Sequence, residues 1–260
     1  MSKSAKLSVV IIAFNEDDQI ADCIKSVNGL ADEILVVDSF STDDTVSIAE
    51  SLGARVLQHE FEGHIQQKNW AKDQATHKFI LSLDADERLT LELNESIAQE
   101  KELGFHHSGY YMNRLNFIGS KAIKSCGWYP DKKLRLWNRD LGKWSGINPH
   151  DKFRLKSGYP RMKLEGDLLH YSYKNRNELF KKSLNYGRIG ANYTRTLSYP
   201  QLLGKILFSP LFKFFRNYIL KRGIAFGITG FAICGCQFIE SYIKYLLGLK
   251  LKIQIQLFGK

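Results

Sequence analysis

An α/β domain built on a largely parallel sheet, followed by a basic and apolar helical extension, is predicted by three features of this 260-residue chain. Short β-branched runs alternate with helical periodicities through the first hundred residues, the pattern of strands joined by crossover helices. Polar residues stand just past these runs, where ligands bind in such sheets. Charge is divided along the chain: residues 152–260 hold 20 basic and 4 acidic side chains, a net of +16, whereas residues 1–151 hold 17 and 23, a net of −6. The two halves therefore face different partners.

Taken in order, Leu7 to Ala13 reads as a strand, and Ile20, Ile24 and Val27 mark one face of the helix after it. Glu33 to Val37 is a second strand. Ser41-x-x-Asp44 then resembles a capping box opening a helix that carries Val46, Ala49 and Leu52 and closes at Gly53. Ala54 to Leu57 is a short third strand, residues 64–75 form a helix, and Phe79 to Leu83 is a fourth strand. Asn15, Asp38 and Asp84 thus converge on one edge of the sheet. A loop or a helix cap explains Asn15 or Asp38 singly, but explains the convergence poorly.

Asp84, Asp86 and Glu87 close the fourth run. Closely spaced carboxylates at a strand end offer oxygen ligands to a hard divalent cation. They also precede Leu89, Leu91, Leu93 and Ile97, so they suit the first turn of a helix as well. Cys23, Cys126, Cys234 and Cys236 make no zinc spacing and read as reduced cytosolic thiols. The apolar run from Leu7 breaks off at Asn15-Glu16 without a cleavage site, so no export signal is expected.

Ser8-Val9-Val10-Ile11-Ile12-Ala13-Phe14-Asn15-Glu16, then Val36-Val37-Asp38-Ser39-Phe40-Ser41-Thr42-Asp43-Asp44-Thr45, then Asp84-Ala85-Asp86 resembles the family 2 glycosyltransferases of GT-A fold. Gly127-Trp128-Tyr129-Pro130-Asp131-Lys132-Lys133-Leu134-Arg135-Leu136-Trp137 and Leu168-Leu169-His170-Tyr171-Ser172-Tyr173 are similar to bacterial lipopolysaccharide core glucosyltransferases. The resemblance spans residues 6–250. It implies inverting transfer of a hexose, glucose being the expected one, from a UDP-sugar to an acceptor hydroxyl. It further implies that Ala13, Asn15, Glu16, Asp38 and Ala85 line the nucleotide-sugar pocket, that Asp84 approaches the ribose, and that Asp86 ligates Mg²⁺ or Mn²⁺. The chain departs from the family pattern at Ile12, where proline is common, and at Ser39-Phe40, where Asp-Gly is usual, which leaves the donor open.

Inversion needs a base opposite the leaving group. Trp144-Ser145-Gly146-Ile147-Asn148-Pro149-His150-Asp151 has the Gly and Pro of a loop, and relatives carry an acidic pair or His-Glu there. Asp151 is the expected base, with His150 as helper or acceptor contact. His170 is either an ordinary core histidine or, as in several relatives, an extra metal ligand. Lys68, Lys133 and Arg135 are candidates for diphosphate or acceptor contact.

After Pro200, residues 202–216 mix bulky apolar side chains with Lys205, Lys213 and Arg216, as interfacial membrane anchors do. Residues 223–239 lack charge but are short for a span, so lying on the bilayer is expected, with Arg216, Lys221 and Arg222 meeting anionic head groups. The expected organisation is a GT-A domain over residues 1–200 and a membrane-associating tail over 201–260. The expected location is the cytoplasmic face of the bacterial inner membrane, and the expected partner an anionic lipid-linked saccharide. A homo-oligomer stays open. Tyrosines among the basic residues also admit a nucleic-acid-binding protein, although no binding motif is readable and no nucleic acid is expected. A sugar nucleotidyltransferase is the other alternative. Ala13-Phe14-Asn15-Glu16 lacks the glycine-rich phosphate loop usual there.

Overall fold

The front of the chain pairs as its β-branched runs require. In the computed structural model, which describes residues 4–148 and 150–259, with His150 described through its backbone only, four strands open the fold: β1 (Leu7–Ala13), β2 (Glu33–Asp38), β3 (Arg55–Gln58) and β4 (Phe79–Asp84). They pair in parallel in the order β3-β2-β1-β4. The crossovers are α1 (Ile20–Ser26), α2 (Thr45–Ser51) and α3 (His64–Gln74). Strands covered on both faces are apolar almost throughout, as a parallel sheet demands. Leu7, Val9, Ile11, Leu35, Val36, Ile80 and Leu81 have no exposed surface, each contributing about 1.5–3 kcal/mol by burial.

Two expectations for this region are corrected. The helix after the second strand starts at Thr45 with Asp44 as its cap residue, and it is Asp43, not Ser41, whose side chain accepts from the Thr45 amide (3.0 Å). Ser41 instead turns back, donating its amide (2.8 Å) and its hydroxyl to the Asp38 carboxylate. The acids after β4 do not open a helix either. Glu87–Leu89 is a short strand, β5, and α4 (Leu91–Glu102) begins only after Thr90, whose hydroxyl accepts from the Leu93 amide.

The sheet continues through antiparallel strands: β6 (Gly109–Ile118) with its short partner β7 (Lys121–Ala122), and β8 (Asp131–Asn138). The segment expected as a loop is a hairpin of β9 (Gly142–Ile147) and β10 (His150–Leu155). Alternation makes it so, because Trp144, Phe153 and Leu155 are buried at every second position. β11 (Arg161–Tyr173) completes the order β3-β2-β1-β4-β8-β6-β11-β5.

The chain divides into two compact units, residues 1–115 with 131–170, and residues 116–130 with 171–260. The expected boundary after residue 200 falls inside the second unit. That unit holds α5 (Arg176–Ala191), α6 (Tyr199–Phe215) and α7 (Gly227–Phe258). The uncharged run 223–239 is not an element by itself, since Gly223–Phe226 is a 3-10 turn and α7 continues to Phe258. At about 1.5 Å per residue α7 is roughly 48 Å long. Residues 223–258 are long and apolar enough to cross a membrane by length and composition. Within this unit α7 packs on α5 and α6, and a Cβ on Gly248 would lie 1.8 Å from the Thr194 hydroxyl. All four cysteines are unpaired and buried.

Candidate active site

The carboxyl ends of β1, β2 and β4 form one rim, and the loops leaving them are tied together. Ala13 pairs in register with Asp38, and the Ala85 amide donates to the Ile12 carbonyl (3.2 Å). The Asn15 amide donates to the Ser41 hydroxyl (2.8 Å), the Asn15 side chain accepts from the Thr42 amide (2.9 Å), and the Glu16 amide donates to Thr45 (2.8 Å). Asp38 is fully buried beneath them. Asn15 and Phe40 hold left-handed backbone, at φ 54° and 61°. The value at Phe40 explains why glycine is usual there, since a side chain in this region costs about 1 kcal/mol. Phe14 and Phe40 are both more than half exposed at this rim, flat apolar surfaces against which a nucleobase can stack.

Asp84, at the end of β4, sits in a chain of alternating charges. Lys68, on α3, places its ammonium 2.9 Å from Asp84 and 3.0 Å from Asp151 on β10. Arg135, on β8, reaches Asp84 at 2.8 Å and Glu87 at 2.6 Å. Arg114 continues the chain to Asp131 (2.9 Å), which also receives Lys133 (3.1 Å). Trp144 lies under two of these cations, 4.7 Å from the Lys68 nitrogen and 5.7 Å from the Arg135 guanidinium carbon. Burial opposes ionisation of Asp84, but Lys68 and Arg135 outweigh it and hold its carboxyl well below the usual range. Its contribution to stability is therefore complete above the ordinary carboxylate value near ~4 and is lost as pH falls through the lower folded value. His64, beside the chain, is pushed below the usual imidazole range by burial and then by Lys68.

Glu87 has no exposed surface, and Arg135 is its nearest cation. Arg135→Met should therefore destabilise the protein by about 3–5 kcal/mol, the cost of leaving a buried charge uncompensated. Urea denaturation reads this directly. A loss under about 1 kcal/mol would show that Arg114, 3.5 Å from Glu87, compensates alone.

Asp86 and His170 come together across the sheet, with Oδ2 3.2 Å from Nε2. An oxygen and a nitrogen bound to one small octahedral cation at about 2.1 Å lie about 3 Å apart, so the pair fits two adjacent ligand positions. Among the described residues no group of three or more His, Cys, Asp or Glu side chains gathers as a metal cluster. The remaining positions would fall to phosphate oxygens and water, the usual arrangement for a magnesium-type site.

The site thus brings together Ala13, Asn15, Glu16 and Asp38 at the rim, and Lys68, Asp84, Arg135 and Asp151 in the charge chain. Pro149 and the side chain of His150 lie outside the described residues. Sequence reasoning missed Arg114 and Trp144. Arg114 lies outside every motif and Trp144 opens the segment of the expected base without a role of its own there, so only the register of β6 on β8 and the hairpin's alternation reveal what they do.

Residues 8–159 match the family model described as Glycosyl transferase family 2. An uncharacterized glycosyltransferase of Rickettsia typhi is 30% identical over 237 residues, covering 87% of this chain and 80% of its own length. The lipopolysaccharide core biosynthesis glycosyltransferase LpsC of Rhizobium meliloti is 26% identical over 230 residues, covering 86% and 85%. The solved structure of the mannosyltransferase PcManGT from Pyrobaculum calidifontis, in complex with GDP-Man and Mn²⁺, matches with a TM-score of 0.55 at 17% identity. That match covers 94% of this chain and 88% of the other, and it speaks for the fold.

Proposed function

This chain belongs to glycosyl transferase family 2, with a GT-A fold and a helical extension, and from that premise we propose a metal-dependent inverting hexosyltransferase. Its donor is a UDP-sugar, UDP-glucose first among the candidates, and its acceptor a lipid-linked saccharide such as the lipopolysaccharide inner core. The observation that carries this reading is the placement of Asp38 and Asp84 at the carboxyl ends of β2 and β4, the two strands that flank β1, with Asp86 just beyond meeting His170 of β11. Family membership sets glycosyl transfer ahead of the nucleic-acid and nucleotidyltransferase alternatives.

In this reading the nucleobase lies over the tied loops of Asn15 and Ser41, against Phe14 or Phe40, with Glu16 accepting its donors and the buried Asp38 fixing the Ser41 turn beneath. Asp84 accepts from the ribose hydroxyls, being kept ionised by Lys68 and Arg135. Asp86 and His170 hold Mg²⁺ or Mn²⁺, which when bound stabilises charge on the departing diphosphate as a Lewis acid. Asp151 takes the proton from the attacking hydroxyl. Lys68 keeps the Asp151 carboxylate oriented from 3.0 Å while its other contact holds Asp84, so one side chain sets the base against the donor pocket. Inversion has a direct test: transfer from UDP-glucose to a lipid-linked core saccharide should give a β-linked product by NMR. An α-linked product contradicts the single-displacement account.

Attachment to the membrane is assigned to α6. Leu203, Leu207, Phe208, Leu211, Phe212 and Phe215 are all exposed on it at helical spacing, with Lys205 and Arg216 beside them. The proposed placement is peripheral, at the cytoplasmic leaflet; the charges of α7, Glu240 3.7 Å from Lys213 and Lys244, Lys250 and Lys252 beyond it, support lying on a bilayer over crossing it. Replacing Leu207, Phe208 and Phe212 together by serine should lower binding to lipid vesicles by about 10²-fold or more, on about 0.8 kcal/mol per withdrawn methylene. Unchanged flotation with vesicles would remove α6 as the anchor.

A further inference from the structure

The hairpin that carries Asp151 has a second face with no assigned role. Trp144, Phe153 and Leu155 point inward, with Phe153 stacked 3.9 Å from Trp137. Period-two alternation sends Lys143, Lys152 and Arg154 outward, and all three are exposed. Lys143 stands directly opposite Arg154 in the antiparallel register. Like charges so placed are destabilising, so this ribbon is arranged against its own stability. No acidic side chain pairs with Lys143, Lys152 or Arg154 among the described residues. Exposed Lys156, Arg161 and Lys163 follow, and Asp151, on the inward side, is the single acid between residues 142 and 163.

We infer that the outer face of the β9–β10 hairpin is an electrostatic docking surface for an anionic bilayer. The inference rests on the lipid-linked acceptor proposed above, and it adds a contact made by the catalytic unit itself. The spacing selects the occupant: the cations are spread along a two-stranded ribbon, about 7 Å apart along the strand, and not gathered at one point. A planar array of anionic head groups meets them together, and Ile147, 42% exposed at the hairpin's turn, offers an apolar contact beside them. A donor bound on the Asp151 side leaves them unneutralised, because strand alternation puts them on the opposite face.

The test uses the full-length protein and its Lys152→Glu/Arg154→Glu variant in flotation with vesicles rich in phosphatidylglycerol and with pure phosphatidylcholine vesicles. At low salt the variant should lose about tenfold or more in partition onto the anionic vesicles and nothing on the neutral ones, with the difference shrinking as salt rises. Arg154→Glu alone faces Lys143 with opposite charge, so its thermal midpoint should equal or exceed that of the parent, which separates lost docking from lost folding. Equal partition of parent and variant, or an equal loss on both lipids, overturns the inference. So does loss of oligonucleotide binding in the variant with vesicle binding intact, which would assign the ribbon to nucleic acid. Failure of the α6 serine variant to weaken binding bears on the anchor instead, and the two outcomes are independent.

Discussion

Asp151→Asn is expected to leave nucleotide binding intact and to slow sugar transfer by about 10²–10⁴-fold, the range that a positioned general base supplies. The substitution keeps the shape of the side chain and an oxygen for the Lys68 ammonium, 3.0 Å away in the parent protein. The charge chain through Asp84 and Arg135 is thus retained, and what disappears is the capacity to hold the acceptor's proton. Single-turnover transfer at saturating donor and acceptor measures the loss, and calorimetry with UDP checks that the pocket survives. An unaffected rate would move the base elsewhere and leave Asp151 as a partner of Lys68 only.

Asp86→Ala should bring turnover down to its metal-free level, about 10³-fold or more below the parent, because metal stabilisation of the leaving diphosphate is worth several kcal/mol. The fold should persist. Asp86 is partly exposed at the strand end, and the buried Glu87 keeps Arg135 and Arg114. Unchanged circular dichroism together with lost metal-dependent turnover is the expected pair of results. Full activity would remove Asp86 from the metal site.

The parallel half of the sheet was legible because its signal is local. Short, largely apolar runs closed by polar loops have few readings besides buried strands, and β1 begins and ends where that pattern does. Ser41 illustrates where local reading stops: its spacing to Asp44 suits a cap, yet burial of Asp38 creates a stronger demand for its hydroxyl. The acids after β4 were ambiguous for a similar reason. A helix start satisfies the spacing of Leu89, Leu91 and Leu93, but pairing of Glu87–Leu89 with β11 uses the same residues as a strand. Nothing near Glu87 in sequence announces a partner 80 residues away. The hairpin was hidden by its glycine and proline, which mark a turn without revealing how far the flanking strands extend. Arg114, Trp144 and the meeting of Asp86 with His170 depend on register across the sheet, information no single segment contains.

The most direct measurement of the central claim, a nucleotide-sugar transferase whose donor is held through Asp86, is calorimetric titration of the parent protein and Asp86→Ala with UDP, with and without Mn²⁺. Tight binding by the parent is expected only when Mn²⁺ is present, and it should be lost in Asp86→Ala. Equal binding with and without metal, or binding unchanged in Asp86→Ala, would contradict the claim.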